Sequence, residues 1–289
     1  MLNISNLSHI ISSQVSNALM EDMYIFPDFT SMLVTNSNVT AFITTREDMV
    51  LCGTKWVDDA FTILDSNIKI SWAYKDGDKI SANDIICTIN GMARPILSGE
   101  RVVLNFLQTL SATATLTYKY VEKVKNYRTK IMDTRKTIPG MRFAQKYAVV
   151  IGRGHNQRCG LYDGVLIKEN HIKSCGSVKM ALDTAFNITP SHIPIQIEVE
   201  NITQLKEAIQ NKATLILLDN MTVGEISECV TFVNQYQTTH PCVSRIELEA
   251  SGNISLDNIE SYAKTGVDRI SIGALTKNIQ AIDLSMKIL

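Results

Sequence analysis

Apolar positions near the start of the chain recur at helical spacing. Leu7, Ile10, Ile11, Val15, Ala18 and Leu19 form the stripe of an amphipathic helix. Residues 39–97 change rhythm. AFITT, MVLCGTKWV, IKISWAY and DIICTING are short β-type runs divided by turn residues such as Asp76-Gly77-Asp78. A long helix is expected from about residue 98 to residue 124, with Ser98 as its cap and Glu100 in its first turn. From residue 130 the β-type runs KIMDT, GVLIKEN, IPIQIEVE, TLILLDN, SRIELEAS and DRISIGA alternate with helical runs. The latter are MRFAQKYAVV, SVKMALDTAF, ITQLKEAIQ, VGEISECVTFVNQY and LDNIESYAK. Strand alternating with helix predicts parallel βα units and a barrel or barrel-like sheet. The last stretch, TKNIQAIDLSMKIL, is expected to pack back on the first domain. The boundary falls near residues 110–128, giving a first domain of residues 1–115 joined by 277–289, and a barrel domain of 116–276.

Length and composition leave room for this arrangement and narrow the function. The chain has 289 residues, enough for two domains or one large α/β domain with an appendage, and 45% of them are hydrophobic, so a sizeable core can be buried. The 28 Lys and Arg nearly balance the 29 Asp and Glu, so no nucleic-acid or membrane surface is implied. Cys52, Cys87, Cys159, Cys175, Cys229 and Cys242 form no C-x-x-C pair and read as reduced thiols of a cytoplasmic protein. The first 22 residues lack a basic n-region and a continuous apolar run, so they do not read as a secretory signal.

Candidate chemistry lies where the βα strands end. Arg135 and Lys136 follow KIMDT, and Lys168 lies in GVLIKEN. Glu198 and Glu200 close IQIEVE, Asp219 closes LILLD, and Glu249, Ser251 and Gly252 close the next run. Gly273 follows the last one. In a parallel α/β barrel these ends converge on one mouth. Period two puts Gln196, Glu198 and Glu200 on one strand face, and Glu247, Glu249 and Ser251 on another. Solvated faces of edge strands are the plain alternative. Helices cover the outside of a barrel, however, which directs these charges to the mouth. Arg135, Lys136, Arg158 and Lys168 could hold an anion. Glu198 and Asp219 could hold Mg²⁺, which prefers carboxylate and water oxygens. Ser251-Gly252-Asn253 and Gly273-Ala274 are small-residue loops of the kind that bind phosphate through backbone N–H groups. Arg101, taken alone, reads as a surface residue, His171 as a hydrogen-bonded histidine, and Met180 and Phe186 as core.

The stretches GERVVLNFLQTLSATAT, DTRKTIPGMR, LYDGVLIKENHI, EVEN, LLDN, LEASGNI and TGVDRISIGALTKNIQAIDLSMK resemble the quinolinate phosphoribosyltransferases. The likeness runs from about residue 90 to the end and is weaker before that, as in ALMED and DFTS. It implies an N-terminal α/β sandwich domain plus an incomplete parallel α/β barrel, the type II phosphoribosyltransferase fold. It implies homodimers with shared active sites, or hexamers, in which one subunit's sandwich covers its partner's barrel mouth. The implied reaction transfers phosphoribosyl from phosphoribosyl pyrophosphate to quinolinate with decarboxylation, a step of de novo NAD biosynthesis. Arg135, Gln157, Arg158 and Lys168 then correspond to quinolinate-binding positions, and Arg101 to an arginine reaching in from the partner. Lys136, Glu198 and Asp219 lie around the pyrophosphate and its Mg²⁺, while Ser251, Gly252, Asn253, Gly273 and Ala274 hold the 5′-phosphate. No organic cofactor is implied. Gln157 and Asn278 stand where the family commonly has histidine, and the usual glycines are missing between Glu21 and Asp28. Because Gln157 does not titrate, quinolinate affinity is expected to change little between about pH 6 and 8. A nicotinate-using relative and a non-catalytic sensor of the same ligands are the competing readings.

Overall fold

The computed structural model describes residues 7–24 and 28–289. Part of the glycine-poor segment noted above, residues 25–27, lies outside the described residues. The chain divides into two compact units. The first comprises residues 1–118, 137–153 and 274–289, and the second comprises 119–136 and 154–273. Residues 137–153, expected in the barrel domain, belong to the first unit.

In the first unit, α1 (Leu7–Met23) buries Leu7, Ile11, Val15 and Leu19. This stripe at steps of four is the predicted one, and each such side chain taken from water stabilises by about 1.5–3 kcal/mol. Strands β1 (Asn38–Thr45), β3 (Lys69–Trp72), β5 (Ile85–Met92) and β12 (Leu284–Ile288) form an antiparallel sheet in the order β12-β1-β5-β3. The C-terminal strand thus pairs with β1. β2 (Met49–Val50) and β4 (Lys79–Ile80) form a separate pair. The helix α2 (Thr54–Leu64) takes over the last four residues of the β run read in MVLCGTKWV. Its N-cap residue, Gly53, has φ +114 and no side chain to cap with. The cap is tertiary: Asp76 Oδ1 accepts the N–H of Gly53 and of Thr54, both at 3.1 Å. The long helix α3 (Ala93–Val124) starts before Ser98. Ser98 is therefore not its cap, and its hydroxyl donates to Asp28 Oδ2 at 2.8 Å. Ala41, Ile43 and Ile89 of the sheet, Trp56 and Phe61 of α2, and Val103, Leu107 and Leu110 of α3 share one core. The helix α4 (Arg142–Ile151) adds Ala144, Tyr147 and Ala148.

In the second unit, β6 (Lys130–Met132), β7 (Val165–Ile167), β8 (Ile195–Val199), β9 (Leu215–Asp219), β10 (Glu247–Ser251) and β11 (Arg269–Ser271) form a six-stranded sheet. Its order is β6-β11-β10-β9-β8-β7, with parallel pairing throughout. An isolated parallel bridge, Met132↔His155, carries the pairing past β6. The crossover helices α6 (Val178–Ile188), α7 (Ile202–Gln210) and α8 (Val223–Thr239) begin at Ser177, Asn201 and Thr222. Each of these side chains accepts a first-turn N–H. Two shorter helices are α5 (Glu169–Cys175) and α9 (Ile259–Lys264). On α6, Met180 and Phe186 are 58% and 44% exposed, so neither belongs to the core the sequence reading gave them. The last helix, α10 (Ala274–Lys277), lies in the first unit. No described helix is long and apolar enough to cross a membrane.

Candidate active site

Residues aligned across a sheet share a face. Strand register puts Gln196 beside Leu215, Glu198 beside Leu217, Glu249 between Leu217 and Arg269, and Ser251 between Asp219 and Ser271. Ile197, Ile216, Leu218, Leu248, Ala250 and Ile270 take the opposite, wholly apolar face and are buried. The polar set therefore lines the inside of the sheet, as the period-two argument requires.

Height along the strands then separates these residues. Glu247 is in an ion pair with Arg269 at the N-terminal ends of their strands. Glu249, only 1% exposed, sits deeper inside. Ser251 and Asp219 reach the C-terminal ends, and Glu200 lies exposed beyond β8. The expectation that all these charges meet at the mouth is thus corrected. Glu247 and Glu249 have partners within the sheet, Arg269 for the first and the Gln157 and Gln196 amides for the second.

At the mouth, Lys168 is the first residue past β7 and the N-cap of α5, not a residue within a strand. Its Nζ lies 3.3 Å from Glu198 Oε2, with the lysine side chain about half exposed and the glutamate largely covered. His171 Nδ1 accepts the Lys168 N–H at 2.9 Å, a capping role consistent with a hydrogen-bonded histidine. Burial raises the Glu198 carboxyl above its usual range. Lys168 opposes this, and the nearby Asp219 charge adds to it. Lys168, Glu198 and Asp219 therefore form one electrostatic cluster.

The two arginines form a second cluster. The Arg158 guanidinium is pushed down by burial and then by the charge of Arg135, with Asp163 opposing. Arg158 Nη1 donates to the Gly164 carbonyl at 2.9 Å. Arg135 carries a buried Nε–H without a hydrogen-bond partner. Such an N–H costs about 1–3 kcal/mol when dry and unmet, so an acceptor belonging to a ligand would relieve it. Lys136 is exposed next to it.

A third group comes from the loops after β9 and β10. Gly252 has φ +102, and Asn220 and Asn253 also take positive φ. The Asn220 N–H donates to the Ser251 carbonyl at 2.9 Å. A side chain at Gly252 would overlap the Asn220 amide oxygen and lie 3.0 Å from its Cα, so glycine alone fits. Gly273 follows β11 half buried, and Ala274 opens α10. Arg101 lies exposed on α3 in the first unit. Asn278, also exposed, donates its N–H to the Ala274 carbonyl at 3.2 Å.

The Gln157 side chain is engaged inside the barrel. Its Nε2 donates to both carboxyl oxygens of Glu249 and, at 3.3 Å, to Gln196 Oε1. Gln196 Nε2 in turn donates to Glu249 Oε2 at 3.0 Å. Fully buried Asp133 accepts the Gln157 N–H at 2.8 Å and the Asn156 Nδ2 at 2.7 Å. Asp133 and Asn156 stand outside the candidate residues named from the sequence. Their only signal is a carboxylate at the end of an apolar strand, with no visible partner.

Comparison with known proteins decides the family. The N-terminal domain of quinolinate phosphoribosyl transferase matches residues 28–111, and its C-terminal domain matches 113–287. The chain belongs to the quinolinate phosphoribosyltransferase family. A relative from Bacillus subtilis, described as a probable carboxylating nicotinate-nucleotide pyrophosphorylase, is 38% identical over 86% of this chain and 83% of its own length. The carboxylating enzyme of Mycobacterium leprae is 35% identical over 94% and 95%. The solved structure of the nicotinate-nucleotide pyrophosphorylase from Francisella tularensis superposes with a TM-score of 0.91 at 43% identity. It covers 97% of this chain and 96% of that one. The α/β fold with a six-stranded parallel sheet is thus that of the quinolinate phosphoribosyltransferases.

Proposed function

We propose that this protein transfers the phosphoribosyl group of phosphoribosyl pyrophosphate to quinolinate, with loss of carbon dioxide, yielding nicotinate mononucleotide and pyrophosphate for de novo NAD synthesis. The observation that carries this reading is the closeness of Arg135 and Arg158, with a buried Arg135 N–H in want of an acceptor, in a chain that also sets Lys168 at the C-terminal end of β7. Quinolinate has two adjacent carboxylates, and binding both needs several cations, preferably the planar forks of arginine. A substrate with one carboxylate, such as nicotinate, would leave part of this charge unmatched.

The chemistry follows from the arrangement. The guanidinium groups of Arg135 and Arg158 and the ammonium of Lys168 hold the dicarboxylate so that its ring nitrogen faces the ribose C1. Lys168 keeps N–H donors beyond the one turned to Glu198. The nitrogen lone pair forms the bond to C1 as the C1–O bond to pyrophosphate breaks, its electrons leaving with the pyrophosphate. The new pyridinium then accepts the electrons of the neighbouring C–CO₂ bond, and a proton later takes the place of the carboxylate. The protein's contribution is positioning and preorganised charge. Lys136 faces the departing pyrophosphate. The Ser251–Gly252–Asn253 and Gly273–Ala274 loops offer backbone N–H groups to the 5′-phosphate.

Mg²⁺ fits the donor set present. Glu198 and Asp219 are close enough for Asp219 to raise the glutamate, and a hard cation would relieve that repulsion. They would hold it directly or through water, together with substrate oxygens. Among the described residues no larger group of His, Cys, Asp and Glu could bind a metal. The ion supplies positive charge against the pyrophosphate leaving group.

We further propose a homodimer or larger assembly in which Arg101 of one subunit completes the site of its neighbour. We also place the protein in the cytoplasm, which agrees with its six free cysteines. A comparison of kcat/KM for quinolinate and nicotinate, each with phosphoribosyl pyrophosphate and Mg²⁺, tests the assignment. A clear preference for quinolinate supports it. A preference for nicotinate overturns it, as does ligand binding without pyrophosphate release.

A further inference from the structure

We propose that Gln157 is a positioning residue. Its side-chain amide on Glu249 and Gln196, with its backbone N–H on Asp133, fixes Arg158 beside Arg135 so that both guanidinium groups meet the substrate carboxylates. The inference rests on the reading of Arg135 and Arg158 as quinolinate-binding residues.

The Arg135 and Arg158 guanidinium groups repel each other. Arg158 and Arg135 are close enough for the charge of one to depress the protonation of the other, and Arg158 is partly desolvated. Nothing in that pairing favours the bound geometry before the substrate arrives. Something rigid must hold Arg158 in place, or part of the binding energy is lost in ordering it. The residue just before it is anchored in three directions. The Gln157 amide closes a ring with Gln196 and Glu249, inside a sheet whose strands are in parallel register on both sides. Its N–H and the amide of Asn156 both end on Asp133. Asp133 is itself tied to the segment, its own N–H donating to the His155 carbonyl at 3.0 Å. Downstream, the Arg158 Nη1 bond to Gly164 and the Asp163 carboxylate, which accepts the N–H of Cys159 and Gly160 at 2.8 Å, hold the other side. Gln157 is the link between this loop and the barrel interior.

The ring of hydrogen bonds also gives a way to separate positioning from direct contact. Gln157 is a donor to Glu249, and the two can be exchanged. In the double variant Gln157→Glu with Glu249→Gln, the carboxylate and the amide swap places, and Gln196 turns its amide over to match. Gln157→Glu alone sets two carboxyl groups against each other.

Steady-state kinetics on the purified full chain test this. Gln157→Ala should raise the quinolinate KM about tenfold or more, while kcat and the phosphoribosyl pyrophosphate KM stay within about threefold. Gln157→Glu should be impaired in the same parameter, and the exchanged double variant should recover to within about threefold of the parent. Thermal melts of each variant establish that it is folded, and the recovery decides the matter if Gln157→Ala is not. A double variant as poor as Gln157→Glu overturns the proposal, because a carboxylate facing the substrate directly would stay inhibitory. An unchanged quinolinate KM in Gln157→Ala overturns it as well. Arg158→Ala separates the two levels. If it leaves the quinolinate KM unchanged, the reading of the site fails. If it raises that KM while Gln157→Ala does not, only the positioning role fails.

Discussion

Arg135→Met should raise stability and lower affinity at once. In the ligand-free protein the Arg135 Nε–H is buried without a partner, an arrangement that costs about 1–3 kcal/mol. Methionine keeps much of the length and apolar packing of the arginine stem and removes the unmet donor. Part of the gain is offset by imperfect packing, so the free energy of unfolding should rise by about 1 kcal/mol. Binding moves the other way. Removing one partner of a desolvated charge pair costs about 2–5 kcal/mol. At about 1.4 kcal/mol per tenfold, the quinolinate Kd should weaken by about 30-fold or more. Urea unfolding of ligand-free protein gives the first quantity and calorimetric titration with quinolinate the second. A variant that is less stable and binds quinolinate normally would refute the reasoning, because Arg135 would then be a structural residue satisfied by the fold.

Gly252→Ala should destabilise by about 1–3 kcal/mol, since the residue has φ +102 and its new methyl would press on Asn220; the phosphoribosyl pyrophosphate KM should rise more than that for quinolinate, and equal rises would argue against a phosphate-binding loop. Burial raises the Glu249 carboxyl above its ordinary value of 4.5 despite its amide partners, so the folded state binds more protons than the unfolded state above that pH. The stability of the parent relative to Glu249→Gln should therefore fall as pH rises from 4.5 through the raised value and then level off, with a slope of at most about 1.4 kcal/mol per pH unit. A flat or rising difference in paired melts would contradict this. An inactive Arg101→Ala chain mixed with an inactive Lys168→Ala chain should regain activity after subunit exchange, and exchange without recovery would exclude a shared site.

Much of this was legible in the sequence because parallel strands in a barrel advertise themselves by apolar runs ending in charge. Lys168, Asp219 and Ser251 lie at the C-terminal ends of β7, β9 and β10 because of that rhythm. What period two could not give was depth. Glu247, Glu249 and Ser251 share a face, yet one pairs with Arg269, one is sealed under two amides, and only the third reaches the mouth. The helix α2 was hidden for a related reason. Its cap comes from Asp76, more than twenty positions away, and a local pattern carries no trace of it. The partners of the Gln157 amide are likewise remote in sequence, Gln196 and Glu249 on two different strands, and no local pattern points to them. Met180 and Phe186 show the opposite error, since apolar residues on a helix read as core though both are exposed.

The most direct test follows the carboxylate next to the ring nitrogen. Quinolinate labelled at that carboxyl, incubated with enzyme, Mg²⁺ and phosphoribosyl pyrophosphate, should release labelled carbon dioxide one for one with pyrophosphate. No label should be released when phosphoribosyl pyrophosphate is omitted. Pyrophosphate without labelled carbon dioxide, or label released without the second substrate, would contradict a transfer that precedes and drives the decarboxylation.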